Sequence, residues 1–253
     1  WATRTLIYRN LKSLEAHISV SVVHPDMMEN GWFFDNNYDG VTEDHLFGFK
    51  YLSEIYQKAD PNITTSVTVP ILWDKKTNTI VNNESSEIIR MFNSSFNELT
   101  KNSDDYYPSD LKNEIDQLND KVYPAVNNGV YRTGFAKTQK AYNESVEYLF
   151  STLDELDELL SNKKYLTGDK ITEADLRLIP TLLRFDIVYV THFKCNIRQI
   201  KDYKNLSRYT KDLYAIPAIK DSTNIDHIKR HYYYSHASIN PFRIIPRGPN
   251  KIF

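Results

Sequence analysis

An apolar segment that contains a proline is the feature that most constrains the fold of this chain. Residues 67–74 have the sequence Val-Thr-Val-Pro-Ile-Leu-Trp-Asp, and Asn83-Glu84-Ser85-Ser86-Glu87 follows shortly after. Proline has no N–H to donate to a neighbouring strand, so Pro70 indicates the start or the edge of a strand. Its position before Ile71-Leu72-Trp73 also makes it a candidate for a cis proline in an active-site turn. The helix expected next begins with free backbone N–H groups, which suit a carboxylate.

Composition excludes several classes of protein. The 253 residues carry a formal net charge of -2, which gives no electrostatic signature of a nucleic-acid partner. No apolar run approaches the length of a membrane span. A single cysteine, Cys195, excludes a disulfide framework and fits a reducing compartment. We therefore expect a cytoplasmic protein with neither a nucleic-acid nor a membrane partner.

The first part of the chain alternates between helical and extended patterns. The predicted elements are a helix over 4–14, a strand over 18–23, an aromatic loop over 26–44, a helix over 47–58, a hairpin of 67–73 with 78–81, and a helix over 86–96. This order predicts an α/β domain over residues 1–97 that lacks its expected first strand.

The polar stretch 97–105 separates this region from one that is helical throughout. Apolar residues recur at helical spacing over 111–122 and again over 146–160. Thr172 and Asp175 have the spacing of a capping box at the start of another helix. We therefore predict a second, all-helical domain over residues 106–253.

Several longer motifs occur in an order that resembles one family. They are Trp1-Ala2-Thr3-Arg4, Glu29-Asn30-Gly31-Trp32, residues 67–74, residues 82–90, Asn127-Asn128-Gly129-Val130-Tyr131, residues 189–195 and Ile239-Asn240-Pro241. Together they resemble the glutathionyl-hydroquinone reductases, the xi class of glutathione transferases. The resemblance covers essentially the whole chain and implies a thioredoxin-like α/β domain followed by an all-α glutathione-transferase domain.

The resemblance also shows where this sequence departs from the family. Trp1 to Arg4 match the end of a Cys-Pro-Trp-Ala-His-Arg motif, so the catalytic Cys and its Pro are expected just before Trp1, together with the first strand. Thr3 replaces the histidine of that motif, and Ser66 stands where many members carry an arginine near glutathione. Because the catalytic Cys is expected upstream of Trp1, the fragment itself is expected to be inactive.

The reaction that the resemblance implies is reduction of a glutathionyl-hydroquinone, with glutathione as co-substrate. A thiolate at the start of the first helix attacks the glutathione sulfur, the aromatic ring leaves and takes a proton, and a second glutathione resolves the mixed disulfide. Cys195 is expected to be a structural thiol instead, because it lies deep in the helical region.

Five residues are expected to bind glutathione. Glu84 and Ser85 would hold the γ-glutamyl end, although a plain helix cap is the alternative for Ser85. Val69 would offer its backbone as an edge strand does, next to Pro70, for which an ordinary edge proline is the alternative. Trp32 is similar to the family's pocket tryptophan, whereas a loop tryptophan elsewhere is most often an anchor on the core.

Two tyrosines match active-site positions of the family. Tyr131 and Tyr232 would donate a proton to the departing ring, whereas packing is the expected role of Tyr233 and Tyr234 in a chain with 18 tyrosines. The histidines match no standard zinc pattern, so no metal site is expected. These histidines are His192, His227, His231 and His236.

Two other functions stay open at the level of sequence. One is an omega-like glutathione thioltransferase or dehydroascorbate reductase that acts on small disulfides. The other is a non-catalytic glutathione-binding protein. In every case the expected partners are glutathione, a glutathionylated aromatic substrate for the reductase, and a second copy of the chain in a homodimer.

Overall fold

The computed structural model describes residues 1–249 and 252. The strands are β1 Leu72–Asp74 and β2 Thr79–Asn82. The helices are α1 Ala2–Leu11, α2 Leu52–Ala59, α3 Ser85–Ser94, α4 Asn97–Thr100, α5 Lys112–Val122, α6 Gly129–Gly134, α7 Gln139–Leu159, α8 Glu173–Arg184, α9 Val190–His192, α10 Lys204–Tyr214, α11 Pro217–Lys220 and α12 Ile225–Ser235. Tyr123–Asn127 and Phe185–Tyr189 form π-helical turns, and Ile200–Asp202 forms a 3-10 turn.

The predicted hairpin is present, and the Val69–Pro70 peptide bond is cis, as the sequence predicted. β1 pairs antiparallel with β2, and Trp73 lies opposite Ile80. The first strand is shorter than expected, because it begins at Leu72 rather than at residue 67. Pro70 has no N–H to contribute to a ladder, so regular pairing begins only beyond it.

The predicted strand over residues 18–23 is wrong. The segment belongs to no strand of the part of the chain that the structure describes. Its polar groups bond to other segments instead: Arg9 donates to the Ile18 carbonyl at 2.6 Å, and the Thr42 N–H donates to the Val22 carbonyl at 3.0 Å. It lines one side of a cavity of about 790 Å³, and residues 69–75 line the same cavity.

The predicted helix over 47–58 is shorter at its start. Asp44 accepts hydrogen bonds from the backbone N–H groups of Leu46, Phe47 and Phe49 at 3.0–3.1 Å, which holds these residues in a loop. The Glu54 carboxylate accepts the N–H of Tyr51 at 2.8 Å, and α2 begins at the next residue. The start of α2 is therefore set by these side-chain hydrogen-bond acceptors rather than by the spacing of apolar residues.

The second half is helical, as predicted, and contains no named strand within residues 106–249. The capping box at the start of α8 is confirmed, because the Thr172 N–H donates to the Asp175 carboxylate at 2.8 Å. That carboxylate also accepts the Leu166 N–H at 2.9 Å and the Tyr209 hydroxyl at 2.8 Å. Asp175 thereby joins the preceding loop and α10 to α8.

A single core runs from α1 and α3 into the helical half. Ile7 and Tyr8 of α1 are fully buried in the same cluster as Leu176 and Ile179 of α8. A smaller cluster, formed by Phe34, Leu52, Ile55 and Tyr56, lies under the hairpin. The position of the domain boundary stays a prediction, since the core is continuous across it.

An ion pair between a half-exposed arginine and a buried carboxylate joins the two halves beside this core. Arg90 of α3 contacts the Glu173 carboxylate of α8 at 2.9 and 3.1 Å and Asp116 of α5 at 2.7 Å. The Glu173 side chain is only 1% exposed, and Arg177 and Asn119 also donate to it. The pair therefore fixes α3, which begins at Glu84 and Ser85, against α8.

Cys195 is fully buried, as a structural thiol would be. Its sulfur lies 3.9 Å from the Val130 carbonyl, next to Tyr131, and burial raises the pKa of the thiol far above its usual value. Burial therefore keeps the thiol protonated and inert. Among the described helices, none is both long and apolar enough to span a bilayer.

Replacing Arg90 with methionine should lower the free energy of unfolding by about 3 kcal/mol, because it leaves the buried Glu173 carboxylate short of its main partner. Urea unfolding, followed by circular dichroism, measures the difference. Lys121→Met is the matched control: its ion pair with Glu155 is 44% and 57% exposed, so the loss should stay below about 1 kcal/mol. An equal loss of unfolding free energy in the two variants would mean that burial of the Glu173 carboxylate does not make its ion pair with Arg90 more important than an exposed ion pair.

Candidate glutathione and proton-donor site

The start of α1 contacts side chains from both halves of the molecule. The Trp1 ring stacks on Tyr131 with ring centres 6.2 Å apart and 19° between the planes. The Arg4 guanidinium lies over the Trp1 ring at 4.7 Å and donates to the Arg177 carbonyl at 2.9 Å. Thr3 accepts a hydrogen bond from Arg184 at 2.8 Å. The residue that departs from the family motif thus has a defined partner in α8.

Two cationic side chains lie at this helix end. Arg4 of α1 lies over the Trp1 ring at 4.7 Å, and Arg184 of α8 donates to Thr3 in the first turn at 2.8 Å. Positive charges and the start of a helix dipole favour an anion such as a thiolate, whereas burial opposes every charged form.

Three tyrosine hydroxyls form a chain beside Trp1. The hydroxyls of Tyr131 and Tyr232 lie 2.5 Å apart, and those of Tyr232 and Tyr189 lie 2.8 Å apart. Tyr131 belongs to α6, Tyr232 to α12 and Tyr189 to the π-helical turn that follows α8. The structure thus brings together the two predicted tyrosines and adds a third.

The hydroxyl chain is arranged to donate a proton. Burial, followed by the neighbouring Tyr232, raises the pKa of Tyr131 well above its usual value, so Tyr131 keeps its proton at neutral pH. Each phenol donates one hydrogen bond. When Tyr189 donates to Tyr232 and Tyr232 donates to Tyr131, the Tyr131 proton remains available to a group beside Trp1.

Trp32 follows a tight turn in the aromatic loop. Gly31 has a positive φ of 76°, which a residue with a side chain rarely adopts, and its N–H donates to the Met28 carbonyl at 2.8 Å. The Trp32 ring stacks on His231 of α12, with ring centres 4.7 Å apart and 24° between the planes. Trp32 thus packs on the residue that directly precedes Tyr232.

Val69 and Pro70 directly precede β1 in the chain. Both residues and Ala2 line the cavity of about 790 Å³, whereas Trp32, Glu84 and Ser85 do not line it. Val69 lies outside the ladder of β1, and no backbone hydrogen bond among the described residues uses its N–H or carbonyl. Its backbone is therefore available to pair with an extended ligand.

Glu84 and Ser85 occupy the first turn of α3. Glu84, not Ser85, is the N-cap, and its carboxylate accepts the Ser86 N–H at 3.4 Å while remaining exposed. Ser85 is 2% exposed, and its hydroxyl accepts a bond from Arg4 at 3.4 Å. The exposed carboxylate suits an ammonium group, and the turn beside Arg4 suits a carboxylate.

Tyr56 is a site residue that the sequence did not indicate. It is 2% exposed, and its hydroxyl donates to the Thr68 carbonyl at 2.9 Å and accepts from Asn83 at 3.1 Å. Thr68 precedes Val69, and Asn83 precedes Glu84. One buried phenol therefore holds both expected glutathione-binding segments at a fixed separation.

Tyr189 was also missed, although it lies within a motif that matched the family. Tyr189 lies in a π-helical turn, and such turns often occur at functional sites, but a π-helical turn cannot be recognised from the sequence.

His192, His231 and His236 lie close together, and His192 contacts His236 at 3.1 Å. Within the described residues, no group of three or more histidine, cysteine or acidic side chains is arranged to hold a metal ion.

Comparison with known proteins identifies two family models. The N-terminal domain of glutathione S-transferase matches residues 1–95, and the C-terminal domain of glutathione S-transferase matches residues 139–212. These matches agree with a thioredoxin-like half followed by a helical half, so the predicted fold class is confirmed.

Individual proteins are similar along almost the whole chain. Glutathionyl-hydroquinone reductase YqjG of Escherichia coli is 53% identical over 98% of this chain and 76% of its own length. Glutathione S-transferase omega-like 2 of Schizosaccharomyces pombe is 51% identical over 98% of this chain and 82% of its own.

Solved structures agree closely with this fold. A glutathione-bound structure of the E. coli protein has a TM-score of 0.97, with 98% of this chain and 81% of that chain covered. The glutathione-S-transferase Xi of Phanerochaete chrysosporium also has a TM-score of 0.97, at 53% identity, over 100% of this chain and 87% of that one. The chain therefore belongs to the glutathione transferase family, in its xi class.

Proposed function

We propose that this protein reduces glutathionyl-hydroquinones to hydroquinones, with glutathione as co-substrate. The observation that carries the proposal is the hydroxyl chain of Tyr189, Tyr232 and Tyr131 beside the start of α1. Disulfide exchange needs no proton delivered to carbon, whereas release of an aromatic ring from sulfur does.

Glutathione would lie along the cis-proline segment toward the start of α3. The Val69 backbone would pair with its cysteinyl residue next to Pro70, and Trp32 would pack on the tripeptide. The Glu84 carboxylate would bind the γ-glutamyl ammonium group, while Ser85 and the first N–H groups of α3 would bind its carboxylate. Support comes from the fixed spacing that Tyr56 imposes on the two segments.

The first chemical step would join the nucleophile to glutathione. A cysteine thiolate that precedes Trp1 would attack the glutathione sulfur of the conjugate. The bond between sulfur and the ring carbon breaks, and Tyr131 gives its proton to that carbon. The products are the hydroquinone and a mixed disulfide between the enzyme and glutathione. The positive charges of Arg184 and Arg4 near the first turn of α1 support a thiolate at this position.

The second step would regenerate the enzyme. A second glutathione loses its thiol proton, which restores the Tyr131 phenol, and its thiolate attacks the sulfur of the bound glutathione. The enzyme thiolate leaves, and oxidised glutathione is released. Two glutathionyl sulfurs are oxidised to a disulfide while the ring is reduced, so no metal or other redox cofactor is required. Trp1 and Tyr131 would present aromatic faces to the substrate ring.

The proposal extends to the cellular compartment, the oligomeric state and the domain organisation of the protein. Thiolate chemistry with glutathione and a single buried cysteine fit the reducing cytoplasm. We also propose a homodimer, division of the chain into domains of 1–97 and 106–253, and partners limited to glutathione and a glutathionylated aromatic substrate. Sedimentation equilibrium of the purified protein tests the dimer.

The double variant Glu84→Gln with Ser85→Ala should weaken glutathione binding at least tenfold, because each lost charge-assisted bond contributes about 1.5–3 kcal/mol. The glutamine amide keeps an oxygen for the cap of α3, so the fold should remain intact. Isothermal titration calorimetry measures the affinity. Glu98→Ala, at an exposed position in α4, is the control and should bind as the parent does. Unchanged affinity in the double variant would remove these residues from the site.

In the chain extended upstream through its Cys-Pro, Tyr131→Phe should lower the turnover of a glutathionyl-hydroquinone by about 10²–10⁴-fold, the usual loss when a general acid is removed. Reduction of a small glutathione disulfide should fall much less, because a thiolate leaves without protonation of carbon. Both activities are followed by hydroquinone release and by oxidised glutathione formation.

Three outcomes of this assay would favour other roles or functions. Equal losses on both substrates would mean that Tyr131 only shapes the pocket. Efficient disulfide reduction with no hydroquinone release in the parent enzyme would favour the omega-like thioltransferase. Glutathione binding without either activity would favour a binding protein.

A further inference from the structure

The last helix of the described fold, α12, is bonded to the aromatic loop along its length. Arg230 forms a two-point ion pair with Asp26 at 2.7 Å for each bond. Other contacts join Tyr38 to Asp226 at 2.6 Å, His227 to the Asp39 carbonyl at 2.6 Å, and the Met27 N–H to Ser235 at 2.9 Å. The loop that carries Trp32 is therefore attached to the helix that carries Tyr232.

His231 is the residue of α12 that contacts the Trp32 ring. Its imidazole stacks on that ring at 4.7 Å, and its Nδ1 lies 2.8 Å from the Pro25 carbonyl. The next residue, Tyr232, forms the centre of the hydroxyl chain. Two adjacent residues of α12 thus contact different parts of the proposed site: His231 contacts Trp32, and Tyr232 contacts Tyr131.

The backbone and the ring of Trp32 are held by different partners. The Trp32 carbonyl accepts the N–H of Leu52 at 2.9 Å, which fixes the main chain beside α2. That bond leaves the side-chain torsions free. The indole ring also packs against the cluster of Phe34, Leu52, Ile55 and Tyr56, and the flat contact with His231 adds a stacking partner that favours one orientation of the ring.

The imidazole is suited to this contact because it is neutral. A carbonyl oxygen only accepts hydrogen bonds, so the bond to Pro25 assigns the proton to Nδ1. Burial, with further lowering by Arg184, brings the pKa of His231 to about 4, against opposing effects of the Pro25 carbonyl and Asp26. An uncharged ring with a fixed tautomer stacks in one orientation.

We propose that His231 is a positioning residue: it sets the Trp32 ring against glutathione and links that setting, through α12, to Tyr232. The inference rests on the proposed function, because it takes Trp32 to be part of the glutathione site. Binding of the tripeptide and orientation of the proton donor would then depend on the same turn of one helix.

Three variants of this chain separate the contributions. His231→Gln retains a hydrogen-bond donor but removes the ring, His231→Phe retains a flat ring but removes the donor, and Trp32→Leu removes the indole. Tyr233→Phe is the matched control on α12, since Tyr233 contacts His192 and not Trp32. Glutathione affinity is measured by calorimetry, and urea unfolding of each variant reports stability separately.

His231→Gln should weaken glutathione binding by about threefold to tenfold, the loss expected for one aromatic stack. His231→Phe should restore affinity to within about twofold of the parent, even where its stability is lower. Trp32→Leu should bind at least as weakly as His231→Gln, and Tyr233→Phe should bind as the parent does. A purely structural role would lower stability in both His231 variants without this rescue.

The results distinguish failure of the inference from failure of the proposed site. Parental affinity in His231→Gln, together with weak binding by Trp32→Leu, would overturn the role of His231 alone. Equal weakening in both His231 variants would overturn the stack as its cause. Parental affinity in Trp32→Leu would remove Trp32 from the glutathione site and the inference with it. Should His231→Gln fail to fold, the comparison of His231→Phe with Trp32→Leu still decides: weak binding by a folded His231→Phe overturns the stack.

Discussion

The burial of α1 between the two halves is the constraint on which the rest of the structure depends. Ile7 and Tyr8 lie fully buried in the core shared with α8, and Arg4 reaches from α1 to both Ser85 and the Arg177 carbonyl. The apolar contacts make withdrawal of α1 costly, and the arginine bonds fix its rotation. The first turn of α1 therefore has one position relative to α3, α6 and α8.

That single position explains why the site is assembled from distant segments. Trp1 stacks on Tyr131, while Glu84, Arg4 and Arg184 all act on the same helix end. The ion pair between Arg90 and Glu173 keeps α3 in place from the opposite side. In the proposed mechanism, glutathione binding by the first half and proton donation by the second half would then act on one sulfur atom and the ring carbon bonded to it.

Local chemistry in the sequence predicted some of this structure well. The cis bond before Pro70, the hairpin after it and the capping box of Thr172 and Asp175 each depend on residues close together in the chain. The strand over 18–23 failed because pairing depends on a neighbour that a pattern does not reveal. The helix expected from residue 47 failed because Asp44 captures its first N–H groups.

The candidate site was only partly predictable for the same reason. Resemblance to a family indicated Tyr131 and Tyr232, but the bond between them joins residues 101 positions apart. Tyr56, Tyr189 and the stack of His231 on Trp32 likewise arise from tertiary contacts with no local signature. The structural role predicted for Cys195, in contrast, agrees with the structure, in which its side chain is fully buried beside Val130.

The most direct test of the account is to locate the glutathionyl group after a single turnover. A protein in which Cys-Pro precedes Trp1 is mixed with a glutathionyl-hydroquinone without free glutathione, and the peptides are mapped by mass spectrometry. The account predicts hydroquinone release with one glutathionyl group on the upstream cysteine and none on Cys195. A glutathionyl group on Cys195, or hydroquinone release with no modified cysteine, would contradict it.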